Sequence, residues 1–339
     1  MVVFFDHFPF VPESHVVINV LAFFFVLSGF LIVHLYYTEK NLTTNWFRNY
    51  FVNRFARIYP VYFLLVTIAI LLAHNHSLII VLKNYTLTHA LFHNQEAILI
   101  QPSWSLTVEE CFYAFAPVII YLTARYNLFI PFLISVGMTI IALFISKQNI
   151  SFLHTPEFVF STTYFGYFIN FFTGAFVALL VRKKNASGTE HSKGMMWTLA
   201  GTVLTAVICG IMAYIYSKPQ LNTDLLLLFN NVLLPFPIAM LYYGLVMESS
   251  YLKKVLSIKL LGFLGRTSYS FYLVHTLIID YIAKPYLSGF IANRILLVTT
   301  TFLICTAASL ILYLFYEEPL NKGIRRLFKP KKVQAAISI

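Results

Sequence analysis

Nine mostly apolar stretches, each near the length a bilayer demands, take up most of the chain: residues 16–37, 58–74, 106–123, 128–146, 164–182, 197–216, 225–247, 268–283 and 293–316. A helix rises 1.5 Å per residue, so about 20 residues cross roughly 30 Å of hydrocarbon. Inside that layer the backbone has no water to bond, and a run of this kind must satisfy its own amides as helix. Of 339 residues, 59% are apolar and 11% are charged. A typical soluble chain carries about 25% charge, so there is too little here to coat several soluble domains. The expected fold is all-α, a polytopic transmembrane helix bundle with nine full spans. The 34 Phe and 22 Tyr suit lipid-facing surfaces and interfacial belts. Residues 77–100 are apolar enough to form a re-entrant or interfacial segment. Pro235 and Pro237 should kink or break the seventh span, freeing backbone groups that a neighbouring helix or a cavity must satisfy.

The net charge of +11 raises the question of a nucleic-acid partner, and its distribution answers it. Threading nine spans leaves only Lys83, Lys147, Lys218, Lys284 and Arg294 on one side, and the other nineteen of the 24 basic residues on the opposite side. By the positive-inside rule the rich side is cytoplasmic. That makes 317–339 a basic cytoplasmic tail, puts Met1 to His15 outside, and explains the excess by topology, with membrane lipid as the only polyanion required. Residues 1–10 are apolar at once, without a basic flank or cleavage site, and read as the remnant of a first helix that would return both ends to the cytoplasm. Cys111, Cys209 and Cys305 sit inside apolar runs without metal-ligand or disulfide spacing and read as small hydrophobes.

Ionisable groups at membrane depth are costly, and each is a candidate for function. His7 is one: either an interfacial histidine or a base whose neutral imidazole suits removal of a hydroxyl proton. In Pro102-Ser103-Trp104-Ser105-Leu106-Thr107-Val108-Glu109-Glu110, Thr107 and Glu110 have the spacing of a capping box. A second carboxylate exceeds what a cap needs, however, and Ser105, Glu109 and Tyr113, four apart, share a helix face that could line a polar path. Arg54 and Arg57, three apart, serve either as a cytoplasmic anchor or as a bidentate clamp for phosphate. Tyr272 and His275 are adjacent on one face of the eighth span, where an inter-helix hydrogen bond is the simplest role. His34, Arg294 and the basic tail read as ordinary interface residues.

The ordered set is more specific than its members. Val20-Leu21-Ala22-Phe23-Phe24-Phe25-Val26-Leu27-Ser28-Gly29-Phe30-Leu31-Ile32, then Arg54-Phe55-Ala56-Arg57-Ile58-Tyr59-Pro60, Trp104-Ser105-Leu106-Thr107-Val108-Glu109-Glu110-Cys111-Phe112-Tyr113 and Ser268-Tyr269-Ser270-Phe271-Tyr272-Leu273-Val274-His275 closely resemble the acyltransferase family 3 of integral membrane O-acyltransferases, over essentially the whole chain. The resemblance implies ten helices, an acyl-CoA donor (usually acetyl-CoA) in place of any permanently bound cofactor, and a cell-surface or lipid-linked carbohydrate acceptor. It implies that His7 is the catalytic base, that Arg54 and Arg57 bind the donor, that Glu109 is the acidic residue of the tryptophan-serine-leucine motif, and that Tyr272 and His275 form the late-helix motif; the expected mechanism has Glu109 polarise His7, with Ser105 and Tyr113 in support on the Glu109 face. The family's basic residue about one helix before the histidine would precede Met1, so the expected chain is truncated in its first helix, or else a degenerate copy.

Combined with the charge-derived topology, this reading puts the arginine pair at the inner face and His7 with Glu109 at the outer end of an integral protein of the bacterial plasma membrane. Donor and acceptor would then meet across the bilayer, by direct transfer or through a covalent acyl-enzyme. The competing reading is a transporter or flippase for a glycan intermediate, built on the same intramembrane polar groups. Internal symmetry between the halves, common in transporters, is not evident in the sequence.

Overall fold

A computed structural model describes residue 4 and residues 16–39, 42–73, 77–92, 98–148, 155–187, 194–217 and 223–328, and all regular structure among them is helical. The main helices are α1 (Val16–Tyr36), α2 (Thr44–Ala73), α3 (Trp104–Arg125), α4 (Phe129–Ser146), α5 (Tyr164–Ala186), α6 (Met196–Tyr216), α7 (Pro235–Met247), α8 (Lys259–Ile278), α9 (Arg294–Leu312) and α10 (Glu318–Phe328). Among the described residues seven helical runs are long and apolar enough to cross a membrane: those containing α2 to α6, then Asp224–Met247, which ends in α7, and Arg294–Phe328, which begins with α9; α1 adds a shorter apolar run, Val20–Tyr36. The remaining expected span, α8, has the length at 20 residues but is more polar, because Ser268, Tyr269, Ser270, Tyr272 and His275 face inward.

Two expected boundaries move, and both matter for the site. The second span starts at Thr44 rather than residue 58, so Arg54 and Arg57 stand inside a 30-residue helix and not at its mouth. The eighth starts at Lys259 rather than residue 268. The basic tail also gains structure: Glu318–Phe328 is an amphipathic helix lying along α2, where the Arg48 guanidinium sits 5.7 Å from the centre of the Phe328 ring. Its few apolar residues, Leu320, Ile324 and Leu327, fall among charges and were too sparse to register as a helix.

Prolines locate the polar staples between helices. The ring at position i removes the donor that the carbonyl at i−4 would use. Pro117 frees the Tyr113 carbonyl, and the Tyr50 hydroxyl of α2 donates to it at 2.8 Å. Pro235 frees the Asn231 carbonyl, which accepts from Asn170 Nδ2 of α5 at 3.4 Å, and the span is interrupted there by a π-helical turn, Phe229–Leu233. Tyr242 donates to the Phe23 carbonyl at 2.9 Å and Tyr269 to the Ile58 carbonyl at 2.8 Å. Many tyrosines thus bind helices together in the interior, where composition alone had suggested belts.

The tightest crossing is between α1 and α5. A Cβ on Gly29 would run into the backbone of Phe171, and one on Gly174 into that of Val26, so two bare Cα atoms let the helices touch. This crossing fixes α1 with Ser28 turned towards α3. Across the bundle the buried Glu248, just past α7, caps α6 by accepting from the Trp197 and Thr198 amides, both at 2.9 Å, and from Thr198 Oγ1 at 2.7 Å.

Candidate active site

A cavity of about 450 Å³ lies between α1, α2, α3 and α8. Its α1 wall carries Val20, Leu21, Phe24, Leu27 and Leu31, with Ser28 as the one polar side chain. The opposite walls carry Arg54 and Arg57 from α2, Glu109 and Tyr113 from α3, and Tyr272 and His275 from α8. Six of the eight residues singled out in the sequence therefore share one chamber. Ser105 stands directly behind it: its Oγ is 2.7 Å from Tyr272 Oη, and both hydroxyls reach the Pro102 carbonyl, at 3.1 and 2.9 Å. His7 lies outside the described residues. Phe4 also lines the cavity, its ring 6.1 Å from that of Phe271 and 6.4 Å from that of His275.

The separation of the arginines from Glu109 onto opposite membrane faces is not what the bundle does. Arg54 lies between two aromatic rings, 5.4 Å from the centre of Tyr36 and 5.2 Å from that of Tyr113, and the Tyr113 hydroxyl donates to Glu109 Oε1. The long α2 carries the arginines up to the level of Glu109, one to two turns inside α3. Ser28 Oγ donates to the same Glu109 oxygen at 2.6 Å. Glu109 is 4% exposed, and these two hydroxyls set its orientation.

The capping-box alternative fails on geometry. The helix begins at Trp104, after a short 3₁₀ turn at Gln101–Ser103, so Thr107 is already one turn inside and its buried hydroxyl has no partner. Glu110 accepts instead from Tyr59 at 3.2 Å.

Four functional partners escaped the sequence reading. Glu317, 2% exposed on a π-helical turn after α9, pairs with Arg57 Nη1 at 2.5 Å and accepts from Ser270 Oγ at 2.5 Å. The Tyr269 ring lies 5.5 Å from the Arg57 guanidinium. Tyr36 cradles Arg54, and Ser28 holds Glu109. Ser28 was visible in its Ser-Gly-Phe setting; Glu317 carried no local cue, because its partner is 260 residues away. His275 donates Nδ1–H to the Phe271 carbonyl at 3.2 Å, which in a neutral ring leaves Nε2 as the acceptor nitrogen. Among the described residues no group of three or more His, Cys, Asp or Glu is placed to hold a metal ion.

The chamber thus combines paired guanidinium groups, an oriented carboxylate, hydroxyl donors and an imidazole against a largely apolar wall. The acyltransferase family 3 model, described as an acyltransferase domain, matches residues 4–314. The chain belongs to this family. The O-acetyltransferase OatA of Staphylococcus aureus is 28% identical over 345 residues, covering 91% of this chain and 54% of that protein. The peptidoglycan O-acetyltransferase OatA of Listeria monocytogenes is 28% identical over 342 residues, covering 90% of this chain and 52% of that protein. The chain spans about half the length of the curated relatives it matches. No solved structure matches it. Family membership leaves the transporter reading without support, since the intramembrane polar groups that suggested it belong to an acyltransferase domain.

Proposed function

We propose that the chain is a membrane-embedded O-acyltransferase that moves an acetyl group from acyl-CoA to a hydroxyl of a cell-surface or lipid-linked carbohydrate. The observation that carries this reading is the single chamber in which Arg54 and Arg57 stand beside Glu109, Tyr113, Tyr272 and His275. A donor bearing phosphates at one end and a thioester at the other needs cations and a proton-transfer group within one continuous, water-poor space. The name of the Listeria monocytogenes relative, a peptidoglycan O-acetyltransferase, supports a carbohydrate acceptor, and both names support an acetyl group.

In this mechanism Arg54 and Arg57 hold donor phosphates inside the chamber, and the apolar side chains of α1 receive the pantetheine arm. His7 takes the proton from the acceptor hydroxyl, and the oxygen attacks the thioester carbonyl carbon. The carbon–sulfur bond then breaks, and the CoA thiolate leaves with the proton from the imidazolium. Glu109, oriented by Ser28 and Tyr113, supplies the negative charge against which the imidazolium forms. The carboxyl end of the chain is cytoplasmic, on the strength of the basic-residue asymmetry.

The test is transfer of radiolabelled acetyl from acetyl-CoA to a glycan acceptor by the purified full chain in lipid nanodiscs. The expected result is transfer that falls by at least about 10²-fold in His7→Ala. Normal transfer by that variant would remove the histidine from the mechanism, and a wild-type protein that never consumes acetyl-CoA would overturn the donor.

A further inference from the structure

The chamber has an open end and a closed one, and on three helices the same order of turns leads from the arginines to the closed end. On α1 the order is Tyr36, whose ring lies against Arg54, then Ser28 on Glu109, then Leu21. On α3 it is Tyr113 beside Arg54, then Glu109, then Leu106. On α8 it is Tyr269 beside Arg57, then Tyr272, then His275. Exposure falls along this path: Leu31, Leu27 and Phe24 in the chamber wall are exposed, whereas Leu21, Leu106, Phe271, His275 and Phe4 are buried. Among the described residues the space beyond Glu109 is therefore a blind pocket. Its lining is apolar apart from His275 and Tyr272, and the Tyr272 hydroxyl is spent on Ser105 and the Pro102 carbonyl.

Helix pitch gives this pocket a length. Between Tyr36 and Leu21, α1 rises about 22 Å. A pantetheine arm has about thirteen bonds from phosphate to sulfur, roughly 15 Å at the rise of an extended chain. With the donor phosphates at Arg54, the sulfur arrives close to the level of Ser28 and Glu109, and about 7 Å of pocket remains beyond it. That is room for about four acyl carbons. Leu106 stands on the face of α3 that carries Glu109, one turn nearer the blind end, so an acyl chain leaving a thioester beside Glu109 meets it first. A buried leucine in a close-packed wall has no free volume into which to move aside.

We propose that the blind end is the acyl pocket of the donor site and that Leu106 is the specificity-determining side chain that limits the acyl group to a few carbons. This assignment rests on the acyl-CoA reading and deepens it by fixing the size of the acyl group.

The experiment compares kcat/KM for acetyl-CoA, butyryl-CoA and hexanoyl-CoA, followed as acyl transfer to a glycan acceptor by the full chain in phosphatidylcholine nanodiscs. Wild type should use hexanoyl-CoA at least about 10²-fold less well than acetyl-CoA, since each methylene that finds no room is worth 10-fold or more. Leu106→Ala should raise the hexanoyl-to-acetyl ratio about 10-fold or more. Leu106→Met, of similar volume, should keep the preference for acetyl-CoA. Leu31→Ala, at the open end, should weaken both donors alike and leave the ratio unchanged. A wild type that uses hexanoyl-CoA as well as acetyl-CoA, an unchanged ratio in Leu106→Ala, or an equal change of ratio in Leu31→Ala would each overturn the proposal. If Leu106→Ala does not purify as a monodisperse protein, Leu106→Val takes its place, with butyryl-CoA as the longer donor and the same criteria. Failure of the donor reading itself shows separately, as wild-type protein that turns over none of the three.

Discussion

Arg57 has two jobs in this site, and a double-mutant cycle separates them. Its guanidinium meets Glu317 at 2.5 Å; the two side chains are 36% and 2% exposed, and Ser270 also donates to the buried carboxylate. Arg57→Ala leaves a buried carboxylate with one hydroxyl for company. Breaking a fully buried pair costs roughly 3–5 kcal/mol. About a third of Arg57 is open to its surroundings, and screening there brings the expected loss to about 2 kcal/mol. On the scale of larger domains that is a fall in Tm of roughly 4–8 °C. Adding Glu317→Gln removes the stranded charge while keeping an acceptor for Ser270, so the double variant should recover to within about 1 kcal/mol of wild type. Donor binding should not follow. A charge-assisted hydrogen bond is worth about 1.5–3 kcal/mol, so the acetyl-CoA KM should rise roughly 10- to 150-fold in Arg57→Ala and stay raised in the double variant. Thermal unfolding followed by intrinsic fluorescence gives one axis of the cycle, and thiol release from acetyl-CoA gives the other. If the double variant regains its KM together with its Tm, Arg57 is only the counterion of Glu317, and the phosphate clamp loses a member.

Two further perturbations probe the scaffold. Gly29→Val forces a side chain into the Phe171 backbone, which cannot swing aside, and overpacking of this kind should cost about 3 kcal/mol and shift Ser28 away from Glu109; a variant with wild-type Tm would mean that α1 and α5 do not cross as described. His89, fully buried on the segment between α2 and α3 with Nε2 3.0 Å from Ser103 Oγ, has its imidazole pushed down to about 4 by burial. The unfolded chain, with a histidine pKa near 6.5, binds the extra proton first, so this contribution is complete above about pH 6.5 and is lost as the pH falls towards 4, up to about 3 kcal/mol in all. Melting curves between pH 4.5 and 7.5 should show that slope in the wild type and a flatter one in His89→Gln, and an identical slope in both would assign the acid sensitivity elsewhere.

How far the sequence could be read depended on whether a signal was local. Span positions followed from apolar runs, and the interruption at Pro235 followed from one missing donor. The arginine pair, Glu109 with Tyr113, and Tyr272 with His275 were each legible because helical spacing puts them on one face. The depth of Arg54 and Arg57 was misjudged because Asn45, Arg48, Asn49 and Asn53 lower the hydropathy of the first turns of α2, although those residues are helical. The spacing of Thr107 and Glu110 fitted a cap because the 3₁₀ turn before Trp104 leaves no trace in residue types. Glu317 fell at the start of the stretch read as the basic tail, and only the packing of α8 and of the π-helical turn after α9 against α2 delivers it to Arg57.

The division of labour in the bundle explains why the informative motifs are not contiguous. α1, α2, α3 and α8 enclose the chamber, and every sequence-selected site residue among the described ones lies on the last three of these. α5 and α7 pack on the far side of α1, and α7 also packs on α6, a second layer whose polar groups are spent on bracing: Asn170 on the carbonyl freed by Pro235, Tyr242 on Phe23, and Glu248 on the start of α6. α1 is shared between the layers, with Gly29 against α5, Ser28 on Glu109 and Leu27 and Leu31 in the chamber wall. Its Ser-Gly-Phe stretch is thus the point at which a packing defect becomes a site defect. Substitutions confined to the outer layer should lower stability without changing the donor KM, whereas those at Ser28 or Gly29 should move both.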